Sequence, residues 1–345
     1  MRAMAVTEYG APLELLDLPK PEVKPGYVLV KILACGVCYT DVKVSRGRMP
    51  FSPDVELPHV PGHEVSGVVE DAGPETGFEP GERVLVYNYW ACGYCPQCLI
   101  GREQLCENLE GWVGFMTPGG FQEYLLVPFD QLLRVPSKIT AEEACAASCA
   151  FGTGYRSVVT RGRVQPGEVV VIQGVGGVGL HTLQIARAAG AHVLAVDIDE
   201  AKLEKAKELG AADGALAGDD ALEMVRSYTS GVGADVVIDV VGAEEAVYQA
   251  SQMLRQAGRV VGVGYHPGEF ARIDTASIVL QELEYVGSRY AHRYELERVM
   301  SMMEEEEIKP IIDDVLPLEE ANEALERLER GEVMGRTVLR VAEKE

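Results

Sequence analysis

Basic residues are scarce. The chain has 31 Lys and Arg against 54 Asp and Glu, a net charge of −23. That balance excludes nucleic acid and anionic membrane surfaces as partners. No apolar run is long enough to span a bilayer. The N-terminus, MRAMAVTEYG, reaches Glu8 before a signal-peptide core forms, so the expected location is cytoplasmic. Asparagine is nearly missing, at Asn88, Asn108 and Asn322 only. With so many charges this points to a heat-adapted source, with compositional drift as the alternative. No internal repeat occurs, and low complexity is confined to Glu304–Glu307, read as a solvated helix face. What is present is ample for folding: 47% hydrophobic residues over 345 positions predict two domains or one large one.

The organising stretch is Gly167 to Asp199. Val169 to Ile172 reads as a buried strand running into Gly174-Val175-Gly176-Gly177-Val178-Gly179. Leu180, Leu183, Ile185, Ala186 and Ala189 then fall at helical spacing, Gly190 stops the helix, and Val193 to Val196 ends on Asp197. In a G-x-G-x-x-G turn the glycines serve a tight turn, room for a pyrophosphate and close helix–strand packing. The helix N-terminus offers N–H groups to phosphate. Asp197 is placed to accept from a ribose hydroxyl and to repel a 2′-phosphate, and no Arg or Lys follows in Ile198-Asp199-Glu200. That selects NAD over NADP, the alternative being that Asp197 only caps the next helix.

Eight cysteines come in clusters: Cys35/Cys38, Cys145/Cys149, and four from Cys92 to Cys106. Close thiols in a reducing compartment read as metal ligands. Cys92, Cys95, Cys98 and Cys106, spaced x2, x2, x7, can close a tetrahedral zinc shell with no position left for substrate. The competing readings are an iron–sulfur cluster and free thiols. Cys38, His63 and Cys149 are separately uninformative. Together they offer two thiolates and one imidazole, which leaves zinc an open position. Asp41 and Glu64 flank these ligands and are expected to orient them.

Residues 1 to 150 read as mostly β with long loops, including strands at Met4–Val6 and Tyr27–Leu33. From 151 strands alternate with helices, at 168–173, 192–197, 213–217, 235–241, 259–263 and 283–287. Helices are expected at Asp199–Leu209 and Ala243–Gln256 between them, and at Tyr294–Glu305 and Leu318–Arg330 in the tail. This predicts an α/β protein with a doubly wound parallel sheet. A last strand, Thr337 to Val341, is expected to return to the N-terminal domain.

The chain resembles the zinc-containing medium-chain alcohol dehydrogenases of the medium-chain dehydrogenase/reductase superfamily. The resemblance rests on Gly36-Val-Cys38-Tyr-Thr40-Asp41, Gly62-His63-Glu64, the four-cysteine lobe, Cys149-Ala-Phe-Gly-Thr153-Gly154, the glycine turn with Asp197, and Gly287-Ser288 leading to Arg293. It implies a GroES-like catalytic domain over 1–150 with a structural-zinc lobe at 90–110. A Rossmann NAD-binding domain would span 151–288, and 289–345 would return to the catalytic domain. It implies two zinc ions (Zn2+) per chain: a catalytic one on Cys38, His63 and Cys149, and a structural one on Cys92, Cys95, Cys98 and Cys106. Thr40 would take the alcohol proton, Thr153 would touch the nicotinamide, and Arg293 would neutralise the pyrophosphate. The implied activity is hydride transfer between a primary or secondary alcohol and NAD(H). The implied assembly is a homo-oligomer, a tetramer before a dimer.

Two positions depart from the family. Tyr39 stands where a basic residue is common, and Lys43 stands where many members end a proton relay with His. The substrate wall is poorly marked, with Met49, Trp90 and Trp112 as candidates. Alternative readings are a polyol dehydrogenase, an enoyl-type reductase, or a non-catalytic nucleotide-binding protein. The full ligand set disfavours the last two.

Overall fold

Val169–Gln173, the β-branched run ahead of the glycines, becomes a central strand buried on both faces. The computed structural model describes residues 1–342, so the end of the expected 289–345 segment lies outside the described residues. Val169–Gln173 pairs in parallel with His192–Asp197 on one side and Ala234–Asp239 on the other. The six-stranded sheet runs Asp213–Leu216, His192–Asp197, Val169–Gln173, Ala234–Asp239, Leu254–Gly262, Glu284–Gly287. In chain order this is 3-2-1-4-5-6, a doubly wound Rossmann topology. Strand order reverses between Val169–Gln173 and Ala234–Asp239, the switch point beyond whose carboxyl ends open sheets of this kind bind ligands.

One expected helix is shorter than its pattern. The stretch 243–256 is helical only over Glu244–Gln252, and the chain is extended from Leu254. Ala234 pairs with Leu254 but Val236 pairs with Arg259, so residues 255–258 bulge out of the ladder. Buried Met253 and Leu254 join the core of this sheet, and Ala257 takes φ +55 in the bulge. Tertiary burial overrode a helical pattern that ran through Gln256.

The described chain divides into two compact units, Ala150–Ala291 and the remainder, which joins Met1–Cys149 to the chain from His292. The second unit is built on a mixed sheet around the long strand Tyr27–Val37. That strand pairs antiparallel with Glu64–Ala72, Tyr124–Pro128 and Arg336–Arg340. The tail strand therefore sits beside the segment leading to Cys38, with Thr337 opposite Val37 and Val338 opposite Gly36. The first strand is Arg2–Ala5 rather than Met4–Val6, paired with Glu14–Asp17.

Helices interrupt the region read as β and loop. Tyr39–Ser45 follows Cys38 directly. Ala141–Tyr155 is Ala-rich, which favours helix. It starts with a reciprocal cap: Thr140 Oγ1 accepts from Glu143 N–H at 3.2 Å, and Thr140 N–H donates to Glu143 Oε2 at 2.9 Å. This T-x-x-E box was legible in the sequence and went unread.

Candidate active site and metal centres

The cysteine lobe hangs between two short strands. Tyr89–Trp90 pairs with Gly111–Trp112, and the four cysteines lie on the chain between them. Pro96 opens a single helical turn, Pro96–Leu99, that presents Cys98. No cysteine is in a disulfide. The Sγ separations are 3.9 Å for Cys92–Cys98, 3.4 Å for Cys95–Cys98, 4.0 Å for Cys95–Cys106 and 3.5 Å for Cys106–Cys92. A tetrahedron of thiolates at a Zn–S length of about 2.3 Å has edges of about 3.8 Å, and the observed values straddle it. Backbone N–H groups aim at the sulfurs, Cys92 at Cys106 Sγ (3.3 Å) and Cys95 at Cys92 Sγ (3.4 Å). The backbone N–H of Glu107, then that of Cys98, holds the Cys95 thiol down to about 6. These donors fit a tetrahedral thiolate-bound ion.

The scattered set also converges. Donor atoms of Cys38, His63, Glu64 and Cys149 all lie within 4.8 Å of one another. Strand Tyr27–Val37 delivers Cys38, the turn at Gly62 delivers His63, strand Glu64–Ala72 opens with Glu64, and helix Ala141–Tyr155 carries Cys149. Asp41, fully buried, bridges two of them. Its Oδ2 accepts from Cys38 N–H at 2.8 Å, and its Oδ1 lies 2.9 Å from His63 Nδ1. With Nδ1 protonated toward Asp41, Nε2 is the ring atom left to ligate. Burial pulls the His63 imidazole down, but Asp41 and Cys38 outweigh it and hold it well above its usual range. The Cys149 thiol, hydrogen-bonded to Cys38, pulls Cys38 well below a free thiol against burial. The charges of Arg336 and His63 reinforce this.

Glu64 stands closer than expected for an orienting group and belongs to the donor set itself. Burial pushes its carboxyl up to about 7, against the pull of Arg336. Arg336 Nη2 lies 3.0 Å from Glu64 Oε1, yet neither carboxylate oxygen receives a well-formed hydrogen bond. Two fully buried carboxylate oxygens without hydrogen bonds beside thiols and imidazole fit a cation. Gly36 makes room for them, since a Cβ there would lie 2.2 Å from Glu64 Oε2.

Arg336 was missed by sequence reasoning. It is 3% exposed, on the tail strand, with Nη2 also 3.7 Å from Cys38 Sγ. Burial opposes its charge, but Glu64, Cys38 and Cys149 outweigh that and raise its pKa. Arg336 in GEVMGRTVLR carries no spacing signal; only strand pairing brings it here. Phe115 was missed too, its ring 4.8 Å from that of His63.

Thr40 sits beside the cluster, its Oγ1 3.7 Å from Cys38 Sγ. Lys43, one turn along the same helix, places Nζ 5.7 Å from the centre of the half-exposed Tyr39 ring. Arg293 is committed elsewhere. It pairs with Glu103 (Nη2 to Oε1, 2.6 Å; Nε to Oε2, 3.1 Å) and donates to the Asp130 carbonyl. The sequence reading placed Arg293 at the pyrophosphate and foresaw no carboxylate partner for it. As the first residue of Arg293–Glu304, it braces the lobe segment Glu103–Leu105.

In the Ala150–Ala291 unit, Thr153 is buried one turn beyond Cys149 on the same helix. At the glycine turn, Gly174 takes φ +88, and a Cβ on Gly179 would lie 1.9 Å from the Gly174 carbonyl oxygen. Gly176 faces open space with no atom within 4 Å of a Cβ, so nothing in the protein itself demands glycine there. That space fits a backbone cradle for phosphate. Gly177 accepts His181 Nδ1 at its carbonyl (2.6 Å), and Val178 caps Gly179–Ala188. Asp197 accepts from Val175 N–H (2.7 Å), Ile198 N–H (2.8 Å) and Asp199 N–H (3.2 Å), so its carboxylate is tied to the glycine turn.

Residues 24–137 match the alcohol dehydrogenase GroES-like domain, and residues 177–305 match the zinc-binding dehydrogenase family. The chain is 38% identical to an alcohol dehydrogenase of Geobacillus stearothermophilus, over 99% of this chain and 100% of the relative. It is 36% identical to a NAD-dependent alcohol dehydrogenase of Sulfurisphaera tokodaii, over 98% of this chain and 99% of the relative. The crystal structure of an alcohol dehydrogenase from Aeropyrum pernix superposes with TM-score 0.92 at 32% identity, covering 99% of this chain and 100% of that one. With a GroES-like domain, a Rossmann-type sheet and such likeness along its whole length, the chain belongs to the zinc-containing medium-chain alcohol dehydrogenase family.

Proposed function

We propose that this protein is a zinc-dependent oxidoreductase that moves a hydride between a primary or secondary alcohol and NAD(H). The observation that carries the reading is the convergence of Cys38, His63, Glu64 and Cys149 within 4.8 Å in a buried setting. Cys38, His63 and Cys149 hold the catalytic ion, and Cys92, Cys95, Cys98 and Cys106 hold a second, structural one. When bound, zinc supplies Lewis acidity to the substrate oxygen, and NAD supplies the hydride acceptor. Asp41 fixes the orientation of His63. Thr40 takes the alcohol proton at Oγ1. Lys43, three residues on along one helix face, is placed to pass it outward. Gly174, Gly176, Gly177, Val178 and Gly179 receive the pyrophosphate, Asp197 the adenosine ribose, and Thr153 the nicotinamide. Arg336, buried against Glu64, keeps positive charge beside the thiolates.

Among the described residues no helix is long and apolar enough to cross a membrane. Eight cysteines, none of them in a disulfide, support a reducing, cytoplasmic setting. Phe270, Val279 and Leu280 lie 90%, 72% and 80% exposed, and Glu284–Gly287 is an edge strand of its sheet; both features support a homo-oligomer, read as a tetramer. A panel of primary, secondary, aryl and polyhydric alcohols with NAD and with NADP tests the reading. NADH formation with at least one monohydric alcohol is the expected result, and no turnover by zinc-loaded protein contradicts it.

A further inference from the structure

The helix that follows the glycine turn buries a polar ring. Gly179–Ala188 packs Leu180, Leu183, Ile185 and Ala186 into the core, and His181 among them is also 0% exposed. Burying an imidazole costs free energy unless it is hydrogen-bonded. Its Nδ1 lies 2.6 Å from the Gly177 carbonyl oxygen. A carbonyl oxygen only accepts, so Nδ1 carries the proton. Phe151, also fully buried, meets the ring edge-on at 4.6 Å and 88° and keeps it from turning. Thr182 repeats the pattern one residue on, with Oγ1 donating to the Val178 carbonyl at 2.9 Å.

The bond reaches into the glycine turn. Gly176, Gly177 and Val178 stay half-buried, so their backbone is open to a ligand. The peptide joining Gly177 to Val178 is trans and planar, so its carbonyl and its N–H point opposite ways. Rotating it changes ψ of Gly177 and φ of Val178, and glycine leaves the first nearly unrestricted. His181 removes that freedom. With the carbonyl drawn along the helix to Nδ1, the Val178 N–H is turned out of the N-terminal end, where a helix has N–H groups to offer an anion. The turn is thereby fixed at both ends, since Asp197 holds Val175 N–H at 2.7 Å and Val196 accepts from Gly174 N–H at 2.7 Å.

We propose that His181 is a positioning residue for the dinucleotide: by holding the Gly177 carbonyl it aims the Val178 N–H at the pyrophosphate. The proposal rests on the cofactor reading above. His181 is fully buried, so it acts through the backbone and not by contact. Hydrogen bonds to charged groups are stronger than those between neutral ones, so the aim of this N–H matters where the ligand carries phosphate. A histidine that only filled the core would give way to an apolar residue of similar volume with no change in phosphate affinity.

The test uses the zinc-loaded full chain as wild type, His181→Leu, His181→Phe and His181→Asn. Dissociation constants for ADP-ribose, which carries the pyrophosphate, and for adenosine, which carries none, are measured by calorimetry, with thermal melting alongside. Leucine and phenylalanine offer no donor. Asparagine Nδ2 branches from Cγ as histidine Nδ1 does, and can donate to the same carbonyl. His181→Leu should weaken ADP-ribose by about tenfold, as for one misdirected hydrogen bond to a charged group, with adenosine held within about twofold. His181→Asn should bring ADP-ribose back to within about threefold of wild type, even where its melting is lower. His181→Phe, which keeps a ring against Phe151, carries the same comparison where His181→Leu does not fold. Wild-type affinity for ADP-ribose in His181→Leu or His181→Phe, an equal loss for adenosine, or a His181→Asn no better than His181→Leu overturns the proposal. A wild type that binds no ADP-ribose contradicts the dinucleotide reading itself, and the role of His181 falls with it.

Discussion

Asp197→Gly separates the two tasks the structure gives this carboxylate. It ties down the glycine turn through Val175 N–H at 2.7 Å and orders its own strand end through Ile198 and Asp199. Its remaining acceptor capacity is what a ribose diol would use. A hydrogen bond to a charged group contributes about 1.5–3 kcal/mol, roughly tenfold to a hundredfold in affinity. Loss of the turn anchor weakens both cofactors alike. Loss of the ribose acceptor weakens NAD alone, while NADP is relieved of like-charge repulsion at its 2′-phosphate. The ratio of kcat/KM for NAD over NADP should therefore fall by at least about tenfold. Zinc content and alcohol preference should hold. Steady-state kinetics with both cofactors on wild type and variant read the ratio directly. A wild type that already prefers NADP, or a variant with an unaltered ratio, would remove Asp197 from the cofactor site.

Three further outcomes follow from the geometry. Arg293→Ala breaks a partly exposed pair with Glu103 and should cost up to about 1 kcal/mol of stability, read by thermal melting, without raising KM for NAD. A raised KM with unchanged melting would return Arg293 to the pyrophosphate. Lys43→Ala should change the pH profile of alcohol oxidation, and an identical profile would send the proton out by another route. Glu64 has its folded carboxyl raised from 4.5 to about 7. In metal-free protein its favourable contribution is therefore full below about 4.5 and lost as pH rises through about 7. Melting from pH 4 to 8 should flatten in metal-free Glu64→Gln relative to wild type, and parallel slopes would deny the shift.

The strand–turn–helix from Val169 to Ala188 was legible because periodicity, glycines and terminal acid agree within one short segment. The lobe was legible for the same reason, with four cysteines inside fifteen residues. The His63–Asp41 contact was only partly so: adjacency to ligands raised the expectation, but strand pairing supplied it. Arg336 was invisible because the tail strand reaches Cys38 only by pairing with Tyr27–Val37. Arg293 is read from the opposite direction: its position after Gly287-Ser288 suggests cofactor charge, while its pairing with Glu103, 190 positions away, carries no local signal. The packing around Phe115 was half seen. Met49 and Trp112 were named as wall candidates, but Phe51 and Phe115 join them through contacts between loops that no local pattern marks.

If a metal held by Cys38, His63 and Cys149 supports alcohol oxidation with NAD, the rate of NADH formation follows zinc as it is returned to metal-free protein, in wild type but not in His63→Ala. Wild type should recover turnover with zinc up to two ions per chain, and His63→Ala should keep the lobe zinc yet stay inactive. Full turnover by the metal-free protein, or by the zinc-loaded variant, would contradict the account.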